Sequence, residues 1–196
     1  MVRRVVGALI LASPAATDAI YVGQVTPIIA ASYALAWLVP GSSAVSAVLG
    51  GALKIFPGVL FVWALRTRSS MTAAVALAAV IVLAATTWLG IDSWFAFRIA
   101  WDNAIPQCVP PSLGSFRCGM GAGGVVVGAA VAVGMSLAAW RLSSPYASFA
   151  MLGAASVVAA PDIFPNYLLI LAVAALPLTC HVLHRSLVRT HGHHGA

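Results

Sequence analysis

Residues 52–66 read ALKIFPGVLFVWALR and place a lysine and a proline inside a run that is otherwise apolar enough to enter a bilayer. Burying the Lys54 ammonium in hydrocarbon costs about 3 kcal/mol on insertion scales, and ionisable groups at that depth usually have a function. Pro57 lacks a backbone donor and clashes with the preceding turn, so the sequence predicts a kink or break beside Lys54. The alternative is that Lys54 snorkels towards a headgroup near a helix end.

The composition indicates an integral membrane protein. Of the 196 residues, 62% are hydrophobic and 7% are charged, whereas about a quarter of the residues of a soluble domain are charged. Ten basic residues outweigh four acidic ones. The basic residues lie at the ends of apolar segments, as the positive-inside rule expects, and form no patch for nucleic acid. The expected surroundings are therefore membrane lipids.

Long apolar runs separated by short turns predict an all-α fold, a polytopic bundle of integral membrane helices with about six membrane segments. The predicted spans are residues 20–39, 44–66, 71–91, 119–140, 146–160 and 167–183. Residues 1–16 read either as a secretory signal peptide or as a further membrane helix, which we favour because another membrane segment follows. The membrane domain thus covers residues 1–183, and residues 184–196 form a basic, histidine-containing cytoplasmic tail.

The arginine clusters test whether the segment at 44–66 crosses the membrane. If every apolar run crosses once, Arg66 and Arg68 lie on the opposite side from the other clusters. Those clusters comprise Arg3, Arg4, Arg141, Arg185 and Arg189. If the segment instead breaks near Lys54 and returns, all of them lie in the cytoplasm. Broken helices occur at membrane depth where protein or a wet cavity surrounds them, so we predict a re-entrant segment.

Residues 92–118 form the one substantial polar connection. In its first part Trp94 and Trp101 fall on one helical face, which predicts a short helix in the membrane interface. The second part, residues 106–116, is rich in proline and is predicted to be irregular. Cys108 and Cys118 lie in this connection, where they either form a disulfide in an oxidising compartment or remain free thiols.

No metal site is predicted from the cysteines and histidines. A zinc site would need more ligands than the polar connection offers. Cys180 adjoins His181 and His184, but no carboxylate or ordered scaffold supports a site there. We therefore expect a solvated tail at this end of the chain.

Residues 119–124 match G-x-G-x-x-G. The dinucleotide-binding interpretation needs a preceding strand and a βαβ unit, and the sequence predicts neither. Small residues four apart, such as Gly124 and Gly128, let membrane helices approach closely. We therefore predict that these glycines serve helix packing.

Acidic residues are few and lie at predicted segment ends or in the polar connection. They are Asp18, Asp92, Asp102 and Asp162. An outward-facing acid at a membrane surface could be a general base or could hold a divalent cation that neutralises phosphate. More often, such an acid marks the point where a helix leaves the bilayer.

Five short motifs follow one another between about residue 11 and residue 178. They are Gly23-Gln24-Val25-Thr26, Leu53-Lys54-Ile55-Phe56-Pro57 before basic residues, Ser93-Trp94, Ser112-Leu113-Gly114 with Arg117, and Ala160-Pro161 with Asn166-Tyr167. In this order they resemble motifs of glycosyltransferase family 87. Its members are polytopic relatives of the actinobacterial mannosyltransferases that use polyprenyl-phosphate-mannose.

The sequence departs from the family pattern at several positions. Thr26 replaces an asparagine, Ile55 replaces a proline, and Asn166 replaces a histidine. Pro110 and Pro111 stand where Asn-Gln is expected. The resemblance also covers only the C-terminal half of such an enzyme. The family's catalytic aspartate belongs to the other half, so no residue here inherits that role. We expect either a truncated product or one half of a split enzyme with an N-terminal partner chain.

The resemblance implies a GT-C-like fold in a bacterial cytoplasmic membrane. It also implies transfer of a mannosyl or related sugar from a polyprenyl-phosphate donor to an extracytoplasmic acceptor, with no resident cofactor. Lys54 is then the candidate ligand of the donor phosphate, because phosphate offsets the burial of an ammonium. Arg98 and Arg117 are secondary candidates.

Two other classes of function remain open. The first is a non-catalytic scaffold or lipid-binding protein that keeps the fold and has lost the chemistry. The second is a small transporter with Lys54 as its coupling residue. Transporters commonly carry paired broken helices in matching halves, and the sequence predicts one broken helix, so this alternative ranks last.

Overall fold

The described part of the chain is helical, and no strand occurs within it. The computed structural model describes residues 13–14, 25–54, 56–90, 92, 95–96, 113–160 and 167–192. The α-helices in these ranges are α1 (Thr26–Leu38), α2 (Ser43–Leu53), α3 (Leu60–Arg66), α4 (Met71–Leu89), α5 (Leu113–Met120), α6 (Ala122–Arg141), α7 (Pro145–Ala159) and α8 (Leu168–Gly192). Short 3₁₀ helices at Pro40–Ser42 and Phe56–Val59 precede α2 and α3.

The helices α2 and α3 form a hairpin in place of a single span. The backbone of Lys54, directly after α2, is extended, with φ −153° and ψ 135°. A 3₁₀ turn that contains Pro57 then leads into α3. The amide of Ala44 donates to Ser69 Oγ at 3.1 Å, so the end of the hairpin lies beside its beginning. The break predicted beside Lys54 is confirmed, and its cause is the proline that cannot continue α2.

Arg66 fixes the returning helix of the hairpin to the end of α6. Its guanidinium donates to the carbonyl oxygens of Ala139 at 3.0 Å and Trp140 at 3.2 Å. It also donates to Ser148 Oγ at 3.2 Å. A guanidinium at a helix C-terminus satisfies carbonyls that have no partner within the helix and complements the helix dipole. Arg66 and Arg141, the last residue of α6, therefore lie at the same end of the bundle, as the re-entrant prediction requires. We call this the basic end.

The core lies where α1, α3, α7 and α8 meet. Its largest fully buried apolar and aromatic side chains are Ile29, Tyr33, Leu60, Phe149, Leu152 and Ile170. Gly153 brings α7 close to α8, because a Cβ at this position would lie 2.3 Å from Ala174 Cβ. Small residues at a helix contact allow this approach. The core thus combines bulky side chains from four helices with one contact that only glycine permits.

Among the described residues, three helices are long and apolar enough to cross a membrane, and they indicate a membrane protein. The candidate spans are Met71–Trp88 in α4, Gly123–Arg141 in α6 and Leu168–Leu187 in α8. The helices α1 and α7, which were predicted as spans, have 13 and 15 residues, fewer than the roughly 20 that a crossing helix needs. The predicted number of crossings, about six, stays a prediction.

Two predicted boundaries differ from the structure. Residues 106–116 were expected to be irregular, but α5 begins at Leu113, because the prolines of this region end at Pro111. The expected tail at 184–196 is helical as far as Gly192, the last residue of α8.

The helices α5 and α6 meet at a glycine-dependent corner. Gly121 has φ 63°, a backbone conformation that glycine adopts without strain. A Cβ at Gly124 would lie 1.8 Å from the carbonyl oxygen of Phe116. The packing role predicted for Gly124 is therefore confirmed, with α5 as the helix that it contacts. The predicted span at 119–140 begins at this corner, with Ala122 as the first residue of α6.

Candidate functional site

Lys54 lies at the tip of the hairpin, between the last turn of α2 and the 3₁₀ turn. Its amide donates to the carbonyl of Gly50 at 3.1 Å and closes α2. A Cβ on Gly50 would lie 3.1 Å from Pro57 Cβ, so the glycine leaves room for the proline ring to fold back over α2. This local packing holds the backbone of Lys54 extended, and its side chain is partly buried.

The ammonium of Lys54 contacts Tyr167, the residue that precedes α8. Lys54 Nζ donates to Tyr167 Oη at 2.5 Å. The same nitrogen lies 4.3 Å from the centroid of the tyrosine ring, within the range of a cation–π interaction. In the described part of the chain Asp92 is the one acidic residue, and it is exposed. Within that part, the lysine is therefore held by a neutral phenol and by no carboxylate.

Phe56 connects this pair to the core. Its ring packs against Tyr167, with centroids 5.1 Å apart and the ring planes inclined at 44°. The carbonyl oxygen of Phe56 accepts a hydrogen bond from Ser156 Oγ at 3.4 Å. Ser156 is in turn hydrogen-bonded to the hydroxyl of Tyr33. A break in a helix frees backbone carbonyls, and this network satisfies one of them inside the bundle.

Leu53, the residue before Lys54, lines an apolar groove. The groove has a volume of about 540 Å³ and lies between α1, α2 and α4. Its lining residues are Ile28, Ala31, Ser32, Leu35, Leu49, Ala52, Leu53 and Ile81. The hydroxyl of Ser32, the one polar side chain among them, donates to the carbonyl of Ile29 at 2.7 Å. The groove therefore presents apolar surface of the kind that an acyl or isoprenoid chain covers.

The structure brings only some of the predicted site residues together. Lys54 and Pro57 lie at the break, as the motif suggests. Arg117 belongs to α5, which packs against α6. The other predicted residues lie outside the described part of the chain, and their roles stay predictions. They are Gly23, Gln24, Trp94, Arg98, Cys108, Pro161 and Asn166.

The cysteines and histidines form no metal centre in the described ranges. No group of three or more metal-ligating side chains occurs there. Cys118 is part of a disulfide, and Cys180 is a free thiol. Because Cys108 lies outside those ranges, its pairing with Cys118 stays a prediction. His181 stacks on Tyr146 with ring centroids 4.2 Å apart, so this histidine packs between helices.

Sequence reasoning missed Tyr167 as the partner of Lys54. The tyrosine belongs to the last of the five motifs, but it lies 113 residues from the lysine and nothing local joins the two. The available signal was a motif position at the start of a predicted span, where the hydroxyl of Tyr167 lies in an apolar setting.

Chemically, the arrangement offers a cation and a phenol beside a groove of apolar surface. These features fit a ligand that has an anionic head and an apolar chain. No known family model, curated protein or solved structure matches this chain.

Proposed function

We propose that the protein takes part in sugar transfer from a polyprenyl-phosphate-linked donor, as a family-87-like membrane glycosyltransferase, and that Lys54 binds the donor phosphate. The observation that carries this proposal is the ammonium at the helix break, whose described partner is a neutral phenol. An ammonium taken out of water is costly unless a charge compensates it. A phosphate supplies that charge together with strong acceptor oxygens.

The groove supports a lipid-linked phosphate over a soluble one. Leu53 lines the groove and directly precedes Lys54, so the apolar surface of the groove adjoins the lysine. The isoprenoid chain of a lipid-linked donor can pack along this apolar surface while its phosphate pairs with the ammonium, whereas free phosphate has only the charge pairing.

The experiment that tests the proposal replaces Lys54 by methionine, which keeps the length and apolar stem of the side chain. Binding of a polyprenyl-phospho-mannose analogue to the protein in lipid nanodiscs should be lost. Lys54→Arg, which keeps the charge, should retain part of the affinity. Arg68→Met serves as the control, because it removes an exposed charge away from the break. Wild-type affinity in Lys54→Met would refute the proposal.

A second candidate function is a non-catalytic protein that binds the lipid phosphate without transferring the sugar. One observation favours it: the one carboxylate in the described ranges, Asp92, is exposed, and no general base contacts Lys54 there. Transfer of radiolabelled mannose to an acceptor by membranes that contain the chain separates the two candidates. Transfer that Lys54→Met abolishes supports the enzyme, whereas binding without transfer supports the lipid-binding protein.

A further inference from the structure

We propose that the basic end is a binding surface for the headgroups of anionic phospholipids, with Arg68, Arg141 and Arg185 as the side chains that contact the lipid phosphate. Lys54 lies at the opposite end of the hairpin, beside the helix break. The inference therefore does not rest on the proposed function, and replacing these arginines leaves the donor site intact. It concerns lipids of the surrounding membrane instead of a donor substrate.

Arg68 has a backbone conformation that glycine normally takes. Its φ is 52°, and it is the one non-glycine residue with a positive φ in the described part of the chain. Its amide donates to the carbonyl of Leu65 at 3.2 Å. The amide of Ser69 donates to the carbonyl of Ala64 at 3.0 Å. These two bonds end α3 in a Schellman motif, whose left-handed position is usually glycine because a Cβ is unfavourable there. Glycine would serve the fold at least as well, so the arginine indicates a role outside the fold.

The turn that carries Arg68 is fixed against the turn between α1 and α2. Ser69, which is 7% exposed, donates from Oγ to the carbonyl of Gly41 at 2.7 Å. The same Oγ accepts from the amide of Ala44 at 3.1 Å. The arginine directly before this buried serine is exposed. The backbone thus holds the Arg68 side chain at the surface of the basic end.

Two further exposed arginines lie at the same end. Arg141 is the last residue of α6, whose final carbonyls accept hydrogen bonds from Arg66. Arg185 lies about one turn beyond His181 in α8, and His181 stacks on Tyr146 in the first turn of α7. In contrast to Arg66, none of the three exposed arginines has a side-chain hydrogen bond or an ion pair in the described part of the chain. Their guanidiniums are therefore available to a ligand.

No acidic side chain lies near this charge in the described part of the chain. The one acidic residue there, Asp92, follows α4, whereas Arg68 precedes it. The 19 residues of α4 place about 28 Å between its two ends. This separation is well beyond the Debye length of about 8 Å at physiological ionic strength. The basic end therefore keeps a positive charge that complements anionic headgroups.

The position of the arginines favours a membrane lipid as the anion. Arg68 closely precedes Met71, where α4 begins, and Arg141 ends α6. Both helices are candidate membrane spans, so arginines at their ends lie at the depth of lipid headgroups. Trp140, directly before Arg141, is 45% exposed, and tryptophan prefers that depth. Basic residues placed there attract anionic lipids.

The test measures which lipid the purified protein retains. The protein in detergent is mixed with equal amounts of phosphatidylglycerol and phosphatidylcholine, and native mass spectrometry gives the ratio of the two bound lipids. The wild type should favour phosphatidylglycerol. Arg68→Gly and Arg141→Gln should each lower the ratio about fivefold, because one basic residue near the membrane surface contributes roughly that factor to the binding of anionic lipid.

Two variants of the same turn serve as controls. Arg68→Lys keeps the charge, and Ser70→Ala removes an exposed hydroxyl that caps no helix. Both should retain the wild-type ratio. Arg68→Gly should also unfold at the wild-type denaturant concentration or above it, because glycine adopts a positive φ without strain. A lower ratio in this variant therefore reports the lost charge and not unfolding.

An unchanged ratio in Arg68→Gly or in Arg141→Gln overturns the inference. A ratio that falls in Lys54→Met and not in Arg68→Gly also overturns it, because the phospholipid then binds at the helix break. A marked loss of stability in Arg68→Gly would show that the arginine serves the fold. Displacement of phosphatidylglycerol by an equal concentration of glycerol phosphate would show that the surface binds a soluble anion instead of a membrane lipid.

Discussion

The hairpin of α2 and α3 and the helix α4 come from neighbouring apolar stretches, yet they have opposite surroundings. Leu60 of α3 is 0% exposed, whereas Leu83 of α4 is 66% exposed. The hairpin packs against α1 and α7 and reaches α8 through Lys54. In contrast, α4 packs against α2 near its start, through Ala74, and its second half faces outwards.

The difference indicates that an interruption in an apolar run determines whether the run faces lipid or is buried inside the protein. An uninterrupted helix satisfies its own backbone hydrogen bonds and can face lipid, as α4 does. The run that contains Lys54 and Pro57 cannot, since it frees backbone groups and carries a charge. Those groups need protein partners: Ser156 donates to the carbonyl of Phe56, and Tyr167 accepts from the ammonium of Lys54. Burial of the hairpin is therefore a consequence of its break.

The largest expected effect is topological. In a Cys180→Ala background, we expect Gly41→Cys and Ser70→Cys, which flank the hairpin, to react with an impermeant maleimide from the same side of oriented vesicles. Asp92→Cys, beyond α4, should react only from the other side, because α4 is long enough to cross. The parent without an added cysteine gives the baseline. Labelling of the first two from opposite sides would show that the hairpin crosses the membrane.

A matched pair of leucines measures the difference in burial. Leu60→Ala should lower the free energy of unfolding by about 3 kcal/mol, because it leaves a cavity among α1, α3 and α7. Leu83→Ala should change it by less than about 0.5 kcal/mol, since its side chain is exposed. Denaturant unfolding in detergent micelles provides the measurement. Equal losses for the two variants would mean that α4 is as buried as the hairpin.

A smaller effect is expected at the contact that holds the returning helix. Arg66→Gln should lower the free energy of unfolding by about 2 kcal/mol, because hydrogen bonds from a charged donor to the end of α6 are lost. Arg141→Gln, at the same end and exposed, should change it by less than about 0.5 kcal/mol. The same unfolding measurement applies. A similar small change in both variants would show that Arg66 does not hold the hairpin.

The sequence predicted the features of the fold that depend on local chemistry. Pro57 acts on the turn directly before it, so the break at Lys54 could be read from neighbouring residues. The membrane class followed from composition, and the close packing at Gly124 followed from the spacing of small residues. The arginine distribution also predicted that the hairpin returns towards the end that carries Arg141.

Contacts between distant residues were not predictable in this way. Tyr167 is 113 residues from Lys54, and Ser156 is 123 residues from Tyr33. Such pairs depend on how the helices pack, and neither periodicity nor propensity records that arrangement. Arg66 was interpreted as marking a membrane edge. Its hydrogen bonds to the last turn of α6 depend on the packing of α3 beside α6, which the sequence does not reveal.

The contact between Gly153 and Ala174 has a consequence for how the sequence can vary. Because a Cβ on residue 153 would lie 2.3 Å from that of Ala174, no other residue fits at 153 while α7 and α8 keep their distance. A change to alanine at 153 is tolerable only if residue 174 loses its own side chain. Since Tyr167 stands at the head of α8, the spacing of these two helices also sets the position of the phenol. We therefore expect residues 153 and 174 to covary among homologues that retain Lys54 and Tyr167.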